Sequence, residues 1–312
     1  MPGVPFDRSA IALYDSRADW ARVGPSLVAE RLDRWKLRPG ATFPGGAAGI
    51  VLAVETAYGL PAVLKVGFPH FEALWEPVAL AAFGSERAPG ILEQDAGSWS
   101  LLLERVTPGA PLSHAGIPPE TAMRIGGELL GDLAGCDIPP GLPSLTRLVS
   151  AFVRTARADS AGQEASLGEL GVADAVADGI GLLARLAADD VVPALIHGDY
   201  NPGNILDAGD GRWRVIDPKP VSGDPAYDLW PLVTQLGSPG ESMATVAQLE
   251  ARLLVAAESA GVDAGRATLW AFARAALGLT WLLAESGQAE PDRAELRREA
   301  RLVSAWAELA GR

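Results

Sequence analysis

The residues best suited to chemistry lie in one stretch, LIHGDYNPGNILDAGDGRWRVIDPKP, at residues 195–220. It contains the pattern His197-x-Asp199-x-x-x-x-Asn204, followed by a predicted hairpin and then Asp217. Phosphoryl transfer needs a carboxylate beside the attacking hydroxyl and oxygen ligands for one or two magnesium ions. The spacing therefore predicts Asp199 as the catalytic base. It predicts Asn204 and Asp217 as Mg²⁺ ligands, because a tight hairpin brings the ends of its two strands together.

The rarity of two residue types adds weight to this interpretation. The chain holds only two asparagines, Asn201 and Asn204, and only three lysines, Lys36, Lys65 and Lys219. Lysine and arginine are not interchangeable at a phosphate, so a scarce lysine in an arginine-rich chain suggests a chemical need. A simpler interpretation is also open, in which the His-Gly-Asp segment is a turn and Asn204 a local cap.

Lys65 lies inside the apolar run AVLKV, where a charge is costly unless it is paired. A nucleotide phosphate together with a carboxylate would supply the pairing. Glu76 on the next predicted helix is the preferred carboxylate, with Glu72 as the second choice. The alternative is a lysine on a solvated strand edge that keeps its charged end in water.

A glycine-rich segment precedes the first predicted hairpin. Gly45 and Gly46 can let backbone amides approach nucleotide phosphates, although a Pro-Gly-Gly sequence alone is mostly a loop. The chain has no G-x-x-x-x-G-K-[ST] motif, which excludes a P-loop ATPase.

The elements that must position these residues fall into a β-rich part and a helical part. Paired apolar runs predict two hairpins, over 50–54 with 62–66 and over 91–95 with 100–104. Apolar periodicity predicts helices over 26–36, 71–83, 119–135, 146–158 and 172–188, with a largely helical remainder after the chemical segment. We therefore expect an α+β, two-lobed architecture. Its expected parts are an N-terminal nucleotide-binding lobe at 1–104, a connector at about 103–109 and a C-terminal catalytic and substrate-binding helical lobe at 105–312.

Composition and charge narrow the class of partner. The 312 residues include 26 basic and 39 acidic side chains, giving a formal net charge of −13. This balance disfavours nucleic acid and anionic membranes as partners. It suits a cationic small-molecule substrate, and solubility alone explains it equally well. The single cysteine, Cys136, excludes an internal disulfide and a cysteine-based zinc site. The start of the chain shows no signal-peptide pattern, and Arg274 interrupts the longest apolar stretch, so a cytoplasmic protein is expected.

Together these motifs resemble the protein-kinase-like small-molecule kinases, and specifically the aminoglycoside phosphotransferase family. The most similar branch contains streptomycin 6-kinases and hydroxyurea phosphotransferases. The likeness covers nearly the whole chain from about residue 30. It rests on Phe43-Pro44-Gly45-Gly46, Leu64-Lys65, Pro69-His70-Phe71-Glu72, residues 101–105, His197-Gly198-Asp199, Asn204-Ile205-Leu206 and residues 216–229.

The resemblance implies an ATP- and Mg²⁺-dependent kinase that phosphorylates a hydroxyl of an aminoglycoside, most specifically streptomycin, and so confers antibiotic resistance. It assigns Lys65 to the nucleotide phosphates and the backbone around Glu104 and Val106 to adenine. It also implies that Asp228 braces the catalytic loop, although a helix N-cap is an alternative role. Lys219 is assigned no catalytic role.

Two other functions are consistent with the same residues. One is a kinase of this fold for another metabolite, such as an amino sugar, a choline-like alcohol or another antibiotic, since specificity lies outside the shared core. The other is a non-catalytic nucleotide-binding protein, which the intact set of Lys65, Asp199, Asn204 and Asp217 disfavours. A protein kinase is less expected, because no Ala-Pro-Glu segment follows Asp217. The sequence indicates neither the acceptor pocket nor an oligomeric state.

Overall fold

The N-terminal part of the chain is built on one antiparallel sheet. The computed structural model describes residues 3–14, 16–43, 49–236, 244–285 and 293–312. The sheet has the strand order β1-β2-β3-β5-β4. Its strands are β1 (Arg38–Thr42), β2 (Gly49–Glu55), β3 (Pro61–Gly67), β4 (Ile91–Asp95) and β5 (Ser100–Glu104). Both predicted hairpins are thus confirmed, and β1 is a further strand that the apolar pattern did not indicate.

The alternation of side chains along strand β3 determines which face of the sheet carries Lys65. Ala62, Leu64 and Val66 are fully buried and belong to the apolar cluster that packs against the first helix, α1 (Arg17–Arg34). Because side chains alternate across a strand, Lys65 must project from the opposite face. That face is covered by the next helix, α2 (Glu76–Phe83), and it faces the C-terminal part of the chain.

Two predicted helices of the N-terminal lobe differ from the observed ones. The helix expected over 26–36 begins much earlier, because Ser16 caps α1 by accepting a hydrogen bond from the backbone N–H of Asp19. The helix expected over 71–83 is divided into a 3₁₀ turn at Phe71–Ala73 and α2 at Glu76–Phe83. Pro77 lies in the first turn of α2, where its missing N–H costs no hydrogen bond.

The C-terminal part is mainly helical and holds two small hairpin-like ladders. Its helices are α3 (Pro119–Ala134), α4 (Leu145–Glu169), α5 (Ala173–Ala188), α6 (Leu229–Thr234), α7 (Val246–Ala260), α8 (Ala264–Glu285) and α9 (Arg293–Leu309). Helix α4 extends well beyond its predicted end at residue 158. Strands β7 (Ile205–Asp207) and β8 (Trp213–Val215) form the predicted hairpin. Strands β6 (Ala194–Ile196) and β9 (Val221–Gly223) pair with each other on either side of it.

Helix α8 is long and apolar enough to cross a membrane by length and composition alone. More than half of its apolar window is buried inside the protein, where it packs against α4, α5, α7 and α9. Such burial is typical of the central helix of a packed helical lobe.

Candidate active site

The catalytic loop predicted around Asp199 is anchored by a buried histidine. The imidazole of His197 is fully buried between the rings of Phe83 and Tyr200. Its Nε2 lies 3.0 Å from the carbonyl oxygen of Ile216, and its Nδ1 accepts the backbone N–H of Asp199 at 3.3 Å. Burial lowers the pKa of His197 to about 4, so the ring is neutral at physiological pH. His197 therefore has a structural role, because it packs inside the loop and hydrogen-bonds to its backbone.

Asp228 braces the same loop through hydrogen bonds to its backbone. Its carboxylate accepts the backbone N–H of His197 at 2.7 Å and that of Gly198 at 3.0 Å. Burial raises the pKa of Asp228 to about 7, against the opposing effect of Arg274 and of the two backbone donors. The bracing role is thus confirmed. Asp228 also occupies the N-cap position of α6, which was the alternative role, but its side chain makes no capping hydrogen bond there.

Gly198 allows the catalytic loop to cross the segment that follows Asp217. Its φ is +81°, and a Cβ at this position would lie 1.9 Å from the carbonyl oxygen of Lys219. The backbone N–H of Lys219 donates to the carbonyl oxygen of His197 at 2.8 Å. Only glycine combines this conformation with so close an approach. The crossing places the Lys219 side chain beside Asp199.

The hairpin between Asn204 and Asp217 brings these two residues together as predicted. The N–H of Ile216, the neighbour of Asp217, donates to the Asn204 carbonyl oxygen at 2.9 Å. The Asn204 amide nitrogen donates to the carbonyl oxygen of Asp199 at 3.0 Å, so the amide oxygen is the atom available for a metal ion. Asp217 has a φ of +57°, a left-handed conformation that is uncommon outside glycine and marks functional loops.

Lys65 is paired with two carboxylates from different parts of the chain. Its Nζ lies 2.6 Å from Glu76 Oε1 and 2.6 Å from Asp217 Oδ1. The preferred partner Glu76 is thus confirmed, and Lys65 is not a solvated edge residue. Burial alone would lower the pKa of Lys65, but the two carboxylates outweigh it and raise that pKa above its ordinary value. Lys65 in turn lowers the pKa of Asp217 to about 2, while burial raises the pKa of Glu76 to about 7.

Lys219 is the site residue that sequence reasoning missed. Its Nζ lies 2.7 Å from Oδ2 of Asp199, and the other oxygen of that carboxylate accepts the Asn201 amide at 3.2 Å. Burial opposes the charge of Lys219, but Asp199 and Asp217 raise its pKa above the ordinary value. The rarity of lysine was the one signal that pointed to this residue.

The proposed adenine connector begins where β5 ends. Glu104 pairs in register with Ala62 of β3, and its side chain accepts the N–H of Gly90 at 3.0 Å. Val106 is buried just beyond the strand. This arrangement uses the Glu104 side chain for structure and is compatible with a backbone role towards a nucleotide base. Gly45 and Gly46, the predicted phosphate-binding glycines, lie outside the described residues.

The two oxygen donors at the hairpin, from Asn204 and Asp217, suit magnesium better than a metal whose ligands all come from protein side chains. Over the described ranges, no group of three or more His, Cys, Asp or Glu side chains could hold a metal ion. Mg²⁺ is commonly bound through one or two carboxylates plus substrate phosphates and water. The carboxylate of Asp217 and the amide oxygen of Asn204 fit that mode of binding.

A two-lobed fold with a sheet lysine, an aspartate in the loop after β6 and an aspartate after the β7–β8 hairpin defines a phosphotransferase of the protein-kinase-like class. The chain belongs to the aminoglycoside/hydroxyurea antibiotic resistance kinase family, whose family model matches residues 34–287. It is 31% identical over 269 residues to the streptomycin 6-kinase of Streptomyces griseus, covering 84% of both chains. It is 32% identical over 270 residues to the hydroxyurea phosphotransferase of Kitasatospora aureofaciens, covering 86% of this chain and 76% of that protein.

The fold is also similar to a solved spectinomycin phosphotransferase in complex with ADP and spectinomycin. The TM-score is 0.57 at 12% identity, over 90% of this chain and 97% of the solved one. The predicted α+β, protein-kinase-like fold is thereby confirmed.

Proposed function

We propose that this enzyme transfers the γ-phosphoryl group of ATP to a hydroxyl of an aminoglycoside, with streptomycin as the acceptor and its 6-hydroxyl as the position. The observation that carries the chemistry is the double pairing of Lys65 with Glu76 and Asp217 beside the Asp199 loop. The acceptor is suggested by the streptomycin 6-kinase of S. griseus, which is similar along most of its length. The proposed cellular outcome is antibiotic resistance in the cytoplasm.

The residues of this chain have separate tasks in the transfer. Asp199 accepts the proton of the acceptor hydroxyl while the acceptor oxygen forms a bond to the γ-phosphorus. The bond from that phosphorus to the β,γ-bridging oxygen breaks, and ADP leaves with the electron pair. Lys65 binds the nucleotide phosphates, and Glu76 keeps its ammonium group in place.

Asn204 and Asp217 would hold Mg²⁺ at the end of the hairpin. When bound there, the ion would neutralise charge on the phosphates. Its ligands are preset by the β7–β8 ladder and by the backbone hydrogen bond between Ile216 and Asn204. The backbone of Glu104 and Val106 is assigned to the adenine ring, and Gly45 and Gly46 to the phosphates.

The charge of the molecule favours a cationic acceptor. The net charge is −13, and streptomycin carries two guanidinium groups and a secondary amine. Hydroxyurea is the second candidate acceptor, because the hydroxyurea phosphotransferase of K. aureofaciens is 32% identical. Hydroxyurea is uncharged, so the two acceptors differ in how they should respond to salt. Neither nucleic acid nor membrane is proposed as a partner.

An acceptor panel with ATP and Mg²⁺ tests the proposal. ADP release above the background ATPase rate is measured for streptomycin, hydroxyurea, an amino sugar and choline, and products are examined by mass spectrometry. We expect streptomycin to gain one phosphate. Its kcat/KM should fall as salt rises from 20 to 300 mM, since screening acts over about 8–10 Å at 0.1–0.15 M. The value for neutral hydroxyurea, if it is a substrate, should not respond in this way.

The possible results test the acceptor and the kinase chemistry separately. Efficient phosphorylation of another alcohol, with streptomycin untouched, would contradict the acceptor and leave the kinase chemistry standing. Failure of every acceptor, in folded protein that binds ATP, would favour a non-catalytic nucleotide-binding protein.

A further inference from the structure

We propose that Lys219 binds the γ-phosphate of ATP and stabilises the phosphoryl group as it is transferred. The inference rests on the proposed kinase function and adds a residue to it. Each carboxylate with a reaction role pairs with its own lysine: Asp217 with Lys65, at 2.6 Å, and Asp199 with Lys219, at 2.7 Å. Two of the chain's three lysines are therefore placed in the site.

The backbone holds Lys219 at this position independently of its side chain. Its N–H donates to the carbonyl oxygen of His197, and its carbonyl group lies against Gly198, which has no Cβ. The segment then enters strand β9, which pairs with β6 at the base of the catalytic loop. The reach of the ammonium group is thus set by the same ladder that positions Asp199.

Lys219 is paired with a carboxylate and is within reach of solvent. Its Nζ lies 2.7 Å from Oδ2 of Asp199, and its side chain is 28% exposed. Lys65, by contrast, is 13% exposed and is held by the buried Glu76. Lys219 is therefore the more accessible of the two cations and the one on the side of the catalytic base.

The geometry of the transfer explains why a cation there binds phosphate. During the reaction the acceptor oxygen lies between Asp199, which takes its proton, and the γ-phosphorus to which it bonds. An ammonium group in contact with Asp199 is therefore close to the equatorial oxygens of that phosphorus, where negative charge is spread in the transition state. In the absence of ATP, the ammonium group of Lys219 pairs with the carboxylate of Asp199.

The test compares nucleotides that differ only at the γ-phosphate. Affinities of Lys219→Met for ADP and for the β,γ-imido analogue of ATP are measured by calorimetry, alongside kcat for the best acceptor of the panel. We expect ADP affinity within twofold of wild type, affinity for the ATP analogue about tenfold weaker, and kcat lower by roughly 10²–10³-fold. Lys219→Arg should recover part of both losses, because it retains the charge.

The matched control is Lys36→Met, which removes the third lysine of the chain. Lys36 is 71% exposed and pairs only with Asp33 in the contacts seen in the described part of the chain, so we expect wild-type values. Thermal unfolding by circular dichroism verifies that each variant is folded, and Lys219→Gln replaces Lys219→Met if the methionine variant does not fold.

Two results would overturn the inference. One is an unchanged ratio of ATP-analogue to ADP affinity with normal kcat. The other is equal weakening of both nucleotides, which would indicate that Lys219 only supports the fold. If wild-type protein phosphorylates no acceptor, the kinase proposal fails while the affinity ratio still tests Lys219.

Discussion

The Nζ atom of Lys65 lies 2.6 Å from Oδ1 of Asp217, although 152 residues separate them along the chain. The contact joins strand β3 of the N-terminal sheet to the segment after the β7–β8 hairpin. Because the side chain of Glu76 is only 2% exposed, it needs the positive charge of Lys65 as a partner. The pair therefore couples the positioning of the proposed phosphate-binding residue to that of the proposed metal ligand.

Lys65→Arg should not be a conservative change. The guanidinium group is larger and planar, whereas the site between Glu76 and Asp217 fits a compact ammonium group. We expect kcat/KM for ATP to fall on the order of 10²-fold, or about 2.7 kcal/mol, with circular dichroism unchanged. Lys36→Arg, on the surface, is the control. Near-wild-type kinetics for Lys65→Arg would remove this lysine from nucleotide binding.

Asp199→Asn should lose turnover and keep nucleotide affinity. The carboxylate is needed at the acceptor hydroxyl, and loss of a general base typically lowers kcat by ~10²–10⁴-fold. The measurement combines steady-state rates with titration of a fluorescent ATP analogue. Full turnover in this variant would exclude Asp199 as the base.

Asp217→Ala and Asn204→Ala should both change the magnesium dependence of the rate. Asp217→Ala should be the more damaging, because it removes a charged ligand and also one partner of Lys65. Titration of the rate with Mg²⁺ should show a higher half-saturating concentration for Asn204→Ala and little activity for Asp217→Ala. A wild-type magnesium curve for Asp217→Ala would refute its assignment as a ligand.

Gly198→Ala tests the crossing behind the catalytic loop. Its new Cβ would lie 1.9 Å from the Lys219 carbonyl oxygen, in a backbone with positive φ. Gly84→Ala is a matched control, since Gly84 has a φ of +74° and nothing within 4 Å of the new Cβ. With a ψ of 165°, Gly84 has a conformation almost confined to glycine, so the control should lose about 1–3 kcal/mol of unfolding free energy from backbone strain alone. In urea unfolding, Gly198→Ala should lose roughly 1–3 kcal/mol more unfolding free energy than the control, as overpacked sites do. Equal losses in the two variants would show that the loop can shift to accommodate the new Cβ without cost.

The stability of the protein should depend on pH through His197. Its folded-state pKa of about 4 lies below the ordinary value of 6.5, so it favours folding above pH 6.5. This contribution is lost as the pH falls towards 4, by an amount on the order of 3 kcal/mol. Asp228 acts in the opposite direction, because its raised pKa favours folding at lower pH.

The variant His197→Gln isolates the histidine contribution. Urea unfolding of wild type and variant is compared at several pH values between 7 and 4.5. Other titrating groups, including Asp228, are common to both proteins, so the difference between the two curves reports on His197. The stability advantage of wild type should shrink as the pH falls. A constant difference would show that His197 is not held neutral by the fold.

Local patterns were sufficient for much of the architecture and for the main site residues. Short apolar runs separated by glycine turns predicted the two N-terminal hairpins, since that pattern is typical of paired strands. The spacing of Asp199, Asn204 and Asp217 predicted their grouping, because a short hairpin determines the separation of its ends. The isolated lysine of β3 needed a carboxylate partner, and Glu76 was preferred over Glu72.

Contacts between distant segments were decided only by the tertiary structure. Strands β6 and β9 are three residues each, too short for periodicity to reveal, and they form because each satisfies the backbone of the other. The sequence left Lys219 without a role, since its proximity to Asp199 depends on the crossing that Gly198 allows. Likewise, the choice between capping and bracing for Asp228 depended on which backbone N–H groups the fold placed beside it. Such pairings join residues that are remote in sequence, so no local pattern encodes their geometry.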